Sequence, residues 1–121
     1  MMNTRLKTLL DNVKQTINEI DADTVKQKCD QQTETVLIDV RELAEWQAGH
    51  LPRAIHLSRG LLELKIEGLV PDENTEIIVY CGGGLRSALA AESLQRMGYK
   101  RVYSMDNGYA GWVSAGYSIS E

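Results

Sequence analysis

The stretch "VYCGGGLRS", Val79–Ser87, decides the fold, because it joins the end of an apolar run to the start of a helical pattern. Cys81 ends the apolar run, three glycines follow it, and Arg86 stands five positions after it. In open α/β sheets, ligands bind at the carboxyl ends of strands, where loops lead into helix N-termini. The stretch therefore predicts a buried strand, a tight binding loop and a helix whose N-terminus faces the cysteine.

The alternation of strand and helix continues on both sides of this stretch. Short apolar runs rich in β-branched residues are typical of buried parallel strands, and they cover Thr35–Val40, Ala54–Leu57, Glu76–Cys81 and Arg101–Met105. Helical patterns alternate with them at 22–29 (capped by Asp21), 42–47, 58–69, 86–97 (closed by Gly98) and 109–114. This order predicts an α/β domain with an open parallel sheet and helices on both faces.

The N-terminal residues carry a separate helical pattern. Apolar residues recur there at spacings of three and four: Leu6, Leu9, Leu10, Val13, Ile17 and Ile20. Such a stripe predicts an amphipathic helix over residues 3–20 that packs on the domain. We therefore expect two parts, an N-terminal helix at 1–20 and the α/β domain at 21–121, with a polar loop at 30–35.

Composition narrows the functional class. At 121 residues and 43% hydrophobic, the chain fits one compact domain, and its net charge of −4 comes with no basic patch on an aromatic platform, which disfavours nucleic-acid binding. Two cysteines, Cys29 and Cys81, are too few for a disulfide framework, and neither has metal-ligand spacing. Charges interrupt the apolar residues of the N-terminus, so we expect no signal peptide or membrane span and a cytoplasmic protein.

The residues around Cys81 are those of an anion-binding loop. Three consecutive glycines follow it: Gly82, Gly83 and Gly84. Without Cβ atoms the backbone can turn several N–H groups toward one centre. Arg86 adds a permanent charge with a forked donor face that matches sulfonate, sulfate or phosphate, and Ser87 can offer its hydroxyl to the same centre.

These neighbours also predict a reactive thiol. A helix N-terminus and a nearby arginine lower a cysteine pKa from about 8.5 into a range of roughly 3.5 to 7.5. We therefore expect Cys81 to be a nucleophile at neutral pH, against the alternative of a buried structural thiol beside a glycine turn. Cys29 ends an amphipathic helical pattern, away from the glycine loop and from Arg86, and we interpret it as structural or incidental.

Three segments resemble the rhodanese sulfurtransferase family. "CGGGLRS" is similar to that family's active-site loop, in which four residues separate a cysteine from an arginine that precedes Ser or Thr. "LIDVRELAEWQAGHLPRAIHL" resembles its upstream signature, and "MDNGYAGWVSAGY" resembles its closing segment, with Asn107 where the family often has a glycine. The resemblance covers about residues 20 to 119 and implies a rhodanese-like fold.

The resemblance implies a role for each residue of the loop. Cys81 would carry a sulfane sulfur as a persulfide, the amides from Gly82 to Ser87 would hold that sulfur, and Arg86 would orient an anionic donor such as thiosulfate. No metal or organic cofactor is implied. Leu85 stands where thiosulfate-preferring relatives often carry a basic residue, so polysulfide or a protein persulfide is an equally good donor.

The upstream signature supplies supporting residues. Asp39 and Arg41 match the family's Asp-Val-Arg, and we expect the pair to stabilise the loop end of the first predicted strand. His50 is interpreted as a hydrogen-bonded structural histidine. Four further residues carry expectations: Trp46 and Trp112 in the core, and His56 and Arg59 bordering the pocket or, for Arg59, on the solvated surface.

Partner expectations follow from the same resemblance. We expect a small sulfur-containing anion as donor, a thiol or protein sulfur as acceptor, no nucleic-acid or membrane partner, and a monomer or weak homodimer. Two other functions stay open: a non-catalytic regulatory module that senses anions, and a cysteine phosphatase or arsenate reductase. Phosphatases resembling this fold have five residues between the cysteine and the arginine, whereas this chain has four.

Overall fold

Five parallel strands form the central sheet in the computed structural model, which describes residues 3–31 and 34–121. The strands are β1 Asn18–Ile20, β2 Val36–Asp39, β3 Ile55–His56, β4 Glu76–Tyr80 and β5 Arg101–Met105, in the order β1-β5-β4-β2-β3. β4 lies in the centre and all its residues are buried, as its continuous apolar run predicts. Cys81 is the first residue after it.

Six α-helices surround the sheet in the described residues: α1 Thr4–Lys14, α2 Ala22–Asp30, α3 Leu43–Ala48, α4 Leu62–Leu69, α5 Leu85–Arg96 and α6 Gly108–Ser114. A short 3-10 turn, Arg59–Leu61, precedes α4. The predicted α/β class is confirmed. The side chain of Asp21 accepts a hydrogen bond from the Thr24 amide (2.8 Å) and begins α2, and Gly98 with φ +102° follows α5, as the sequence predicts.

The two sides of the sheet bury separate apolar clusters. Alternate β4 residues point to opposite faces, Ile77 and Val79 to one and Ile78 and Tyr80 to the other. The first face is covered from α1, α4 and α5, and the second carries Val25 of α2 and Trp112 of α6. The helices therefore lie on both faces, and the expectation that Trp112 is a core residue is confirmed.

The expectation that Trp46 is a core residue is wrong. It lies on α3, a short helix without any buried residue, and its ring is only half-buried. The indole stacks on the imidazole of His50, with ring centroids 3.5 Å apart and an interplanar angle of 4°. Trp46 thus covers a histidine at the surface of the domain.

The N-terminal helix is shorter than its periodicity predicts. α1 ends at Lys14, where the amide and the hydroxyl of Thr16 both donate to the carbonyl of Val13. Residues 18–20 then form β1, whose Ile20 pairs with Met105. The three-residue spacing of Ile17 and Ile20 fits a helix, but the two side chains point inward from a turn and an edge strand instead.

Leu10 and Val13 of α1 are buried, as the predicted stripe requires, whereas Leu9 of the same stripe is 47% exposed. The predicted polar loop at 30–35 begins inside α2, which includes Asp30, and its Gln32 and Thr33 lie outside the described residues. Of the helices in the described ranges, none has the length and hydropathy to cross a membrane.

Candidate active site

The loop Cys81–Ser87, called here the active-site loop, curls around the sulfur of its own cysteine. The amide nitrogen of Gly84 lies 3.1 Å from Cys81 Sγ, and that of Ser87 lies 3.4 Å from it. Gly84 adopts φ +99°, a left-handed conformation that favours glycine, and α5 starts at the next residue. The amides of the N-cap residue and of the third residue of α5 therefore face the sulfur of Cys81, a residue that is 1% exposed.

A chain of two hydroxyls reaches the same sulfur from the sheet. Ser87 Oγ lies 3.5 Å from Cys81 Sγ, and Ser104 Oγ, on β5, donates to Ser87 Oγ at 2.9 Å. Both serines are fully buried. Since Ser87 accepts from Ser104, its own proton is free to point at the sulfur once the thiol has ionised.

These donors outweigh the effect of burial on the thiol. Burial raises the pKa of Cys81. The hydrogen bonds from the Ser87 hydroxyl and from the amides of Ser87, Gly84 and Gly83 lower this pKa by a larger amount, so it lies below the usual value for a cysteine. Cys29 differs, because burial raises the pKa of its half-buried thiol above the usual value. The two cysteines thus differ in the direction expected from their sequence neighbours.

The N-terminus of α6 fixes the outer side of the active-site loop. The amide of Tyr109 donates to the Cys81 carbonyl at 2.8 Å, and that of Ala110 donates to the Gly82 carbonyl at 3.0 Å. With these carbonyls turned outward, the following amides are free to point inward. Gly108 permits the close approach, since a Cβ there would lie 2.2 Å from the Cys81 oxygen.

Asn107 stands just before this contact, at the position where the sequence departs from the family pattern. It adopts a left-handed φ of +55°, which asparagine tolerates better than most residues. The turn into α6 is therefore formed without the glycine. Gly108 follows, also with positive φ (+45°).

Arg86 does not present a free guanidinium to the loop. It forms a bidentate ion pair with Glu45 of α3, with Nη1–Oε1 at 2.7 Å and Nη2–Oε2 at 3.1 Å. Both side chains are partly exposed at the border of the active-site loop. Sequence reasoning missed Glu45, although its position shortly after β2 places it at the same edge of the sheet as Cys81.

Asp39 and Arg41 form a buried network beneath the loop. Arg41 contacts the Asp39 carboxylate through Nε (3.1 Å) and Nη2 (2.8 Å), and Nη2 also donates to the Gly49 carbonyl. The hydroxyl of Tyr80 donates to Asp39 Oδ2 at 2.7 Å. Burial raises the pKa of Tyr80, which keeps that hydroxyl protonated. Arg41 also lies over the ring of Tyr109, 4.2 Å from its centroid, and so connects this network to α6.

The remaining predicted residues are three residues of the active-site loop, two histidines and Arg59. Leu85 is 40% exposed at the start of α5, and Gly82 and Gly83 are not buried. His50 Nδ1 lies 3.0 Å from the Leu51 carbonyl, and His56 Nε2 lies 2.8 Å from the Arg41 carbonyl. Arg59 pairs with Glu63 of α4 at 2.8 Å.

Comparison with known proteins gives a consistent result. Residues 21–115 match the rhodanese-like domain family. A sulfurtransferase from Allochromatium vinosum (strain ATCC 17899) is 30% identical over 103 residues, which are 85% of this chain and 94% of that protein. Some relatives are longer, since the aligned part is only 51% of a Bacillus subtilis (strain 168) protein that is 34% identical over 97 residues.

Two solved structures resemble the whole chain. One, from Rhodopseudomonas palustris CGA009, is described as a protein of unknown function and possible tyrosine phosphatase; it has a TM-score of 0.88, 30% identity, and coverage of 99% of this chain and 98% of that one. The other is a thiosulfate sulfurtransferase from Pseudomonas aeruginosa, with a TM-score of 0.87, 29% identity, and coverage of 96% and 23%.

Proposed function

The chain belongs to the rhodanese-like domain family, and on that premise we propose that it transfers a sulfane sulfur from a donor to a thiophilic acceptor through a persulfide on Cys81. One observation carries the proposal: backbone amides and a buried hydroxyl converge on Cys81 Sγ within 3.1 to 3.5 Å. Such preorganised donors stabilise a negative charge on sulfur before and after the transfer. Thiosulfate, a polysulfide or a persulfide would be the donor.

In the first half-reaction the Cys81 thiolate attacks the outer sulfur of the donor. With thiosulfate, the new bond joins Sγ to the sulfane sulfur, the sulfur–sulfite bond breaks, and its electron pair leaves with sulfite. The product is Cys81–S–S⁻, so one negative charge stays in the loop. By analogy with oxyanion donors in other enzymes, a hydrogen bond to this charge lowers the barrier by up to about 3 kcal/mol.

In the second half-reaction a thiolate or cyanide attacks the terminal sulfur of the persulfide. The bond between the two sulfurs breaks, its electron pair returns to Cys81 as thiolate, and the acceptor leaves as a persulfide or thiocyanate. This is covalent catalysis with two separate half-reactions, which predicts ping-pong kinetics. A cellular thiol or a protein thiol is the proposed acceptor.

A cysteine phosphatase is the second candidate, because the related structure from Rhodopseudomonas palustris is described as a possible tyrosine phosphatase. Two features favour sulfur transfer over it. The amides of this short loop approach the cysteine sulfur itself, and Arg86, the residue that would bind a phosphate, is paired with Glu45. The loop thus suits a single added sulfur better than a tetrahedral phosphate.

Intact-mass measurement tests the proposal. The protein is mixed with thiosulfate or polysulfide, and we expect a gain of about 32 Da, the mass of one sulfur on a reactive thiolate, which cyanide then removes. Cys29→Ser should load in the same way, whereas Cys81→Ser should not.

A Cys81→Ser variant that still carries the cyanide-labile sulfur would refute the site. Release of phosphate from p-nitrophenyl phosphate by the wild type, absent from Cys81→Ser and without any sulfur loading, would support the phosphatase. A protein that does neither reaction would point to the regulatory module that senses anions.

A further inference from the structure

The ion pair between Arg86 and Glu45 borders the loop that holds the sulfur. A Cβ added at Gly82 would lie 3.3 Å from Arg86 Nη2 and 4.0 Å from Glu45 Oε2, which places both side chains over the first glycine after Cys81. The forked face of the guanidinium, which would match an oxyanion, is turned to the carboxylate of Glu45 instead. The guanidinium also interacts with the sulfur of Cys81, so an anionic donor that enters the loop meets a cation whose forked face is already paired.

Glu45 is held in this position from its own helix. It is the third residue of α3 and forms a capping box with Glu42, whose amide donates to Glu45 Oε1 at 3.0 Å. The hydrogen bond from Arg86 lowers the pKa of Glu45 to about 2. The carboxylate thus stays charged at every pH at which the Cys81 thiolate reacts.

Sulfane-sulfur donors differ in what they require of Arg86. Thiosulfate is a dianion whose charge is shared between the reacting sulfur and the sulfonate oxygens next to it, so a cation beside those oxygens favours its binding and a nearby carboxylate opposes it. An organic persulfide, R–S–SH, brings no oxyanion group, and its terminal sulfur needs only the amides of the loop. The Glu45–Arg86 pair therefore penalises the first class and leaves the second unaffected.

We propose that Glu45 is a specificity-determining residue which, by occupying Arg86, disfavours thiosulfate and directs Cys81 toward organic persulfides. The proposal rests on the sulfurtransferase function proposed above. In the favoured step, Cys81 Sγ attacks the terminal sulfur of R–S–SH, the S–S bond of the donor breaks, and its electron pair leaves with RS⁻. The new Cys81–S–SH releases its proton to the thiolate RS⁻, and the persulfide anion remains in the loop.

The test compares two donors on one pair of variants. Glu45→Gln keeps an oxygen that accepts from the Glu42 amide but removes the charge, and Glu45→Ala removes the side chain. Intact mass gives the second-order rate constant of loading with thiosulfate and with the persulfide of N-acetylcysteine methyl ester, whose only ionisable group is its S–SH. We expect the thiosulfate-to-persulfide ratio of these constants to rise about tenfold in both variants, mainly through a lower KM for thiosulfate.

Glu73→Gln is the matched control. Glu73 pairs with Lys100 near the start of β4 and β5, at the amino-terminal ends of the strands, whereas Cys81 lies at their carboxyl ends. The substitution changes the net charge by the same amount as Glu45→Gln. The donor ratio should equal that of the wild type. Far-UV circular dichroism and thermal unfolding report whether each variant is folded.

Three outcomes would overturn the inference. Unchanged rate constants for both donors in folded Glu45→Gln and Glu45→Ala would show that the pair does not select donors. Equal acceleration of both donors would mean that Glu45 acts on the thiolate alone, and slower thiosulfate loading would mean that Glu45 holds Arg86 in its productive position. A wild type that loads from neither donor would instead refute the proposed function.

Discussion

The hydroxyl of Ser87 offers the sharpest test of how the loop activates its thiol. Ser87→Ala removes the side-chain donor 3.5 Å from Cys81 Sγ and leaves the amides of Ser87 and Gly84 in place. Alanine has a high helix propensity and is no larger than serine, so it fits the buried position of Ser87 in the first turn of α5, and the backbone conformation of the loop should not change. The variant isolates one of several hydrogen bonds that lower the pKa of Cys81.

The size of the effect follows from the geometry. A hydrogen bond to a charged group contributes about 1.5 to 3 kcal/mol, and 3.5 Å is long for a bond of this type, which places this one near the low end. A loss of about 1.4 kcal/mol raises the pKa of Cys81 by about one unit. At a pH below both values, the thiolate fraction and the loading rate should fall about tenfold.

The pH dependence separates this effect from damage to the site. In the wild type the thiolate forms at a lower pH than in an ordinary cysteine, so the rate of sulfur loading rises with pH and levels off early. In Ser87→Ala the same rise should occur at higher pH, and the two rates should converge above both pKa values. Thiolate absorbance at 240 nm in a Cys29→Ser background gives the pKa directly.

Ser104→Ala should shift the pKa of Cys81 in the same direction by less, since Ser104 acts only by donating to Ser87. A Ser87→Ala profile that superimposes on the wild-type profile would refute the role of the hydroxyl. A rate that stays reduced at high pH would show that the loop has moved.

Two further predictions concern the elements that hold the loop. Asp39→Asn breaks a fully buried ion pair and should lower the free energy of unfolding, measured in urea, by about 3 to 5 kcal/mol. Asp11→Asn, the control in an exposed pair with Lys7, should lower it by less than about 1 kcal/mol. Equal effects of the two substitutions would contradict the buried network. Gly108→Ala places a Cβ against the Cys81 carbonyl, so it should slow sulfur loading and lower the free energy of unfolding by about 2 kcal/mol or more. Gly68→Ala, the control at a position with open space around it, should not destabilise the protein. A fully active Gly108→Ala would exclude α6 as a support of the loop.

The strands and the active-site loop were predictable because their signals are local. A continuous apolar run such as β4 has few alternatives to a buried parallel strand, and three glycines between a strand and a helix allow the backbone to turn its amides toward one centre. β1 was missed because three residues carry too little pattern, and its Ile20 continued the spacing of the helix before it. Its pairing with β5 depends on contacts distant in sequence.

The partners of the site residues were harder to predict for the same reason. Cys81 and Ser87 are neighbours in the chain, but Ser104 reaches them only through the pairing of β5 with β4. Glu45 lies 41 positions before Arg86, and only the common edge of β2 and β4 brings the two together. The sequence thus predicts that the loop binds an anion, but it does not predict that Arg86 is already paired with Glu45.

The outermost strands of the described sheet are its shortest, with three residues in β1 and two in β3. An exposed strand edge is a row of unpaired backbone groups on which another chain can add a strand, and long edges favour aggregation. These two edges offer little backbone for that purpose, and the longer β5 lies between β1 and β4. Concentrated protein should therefore resist growth of intermolecular sheets during repeated cycles of partial unfolding.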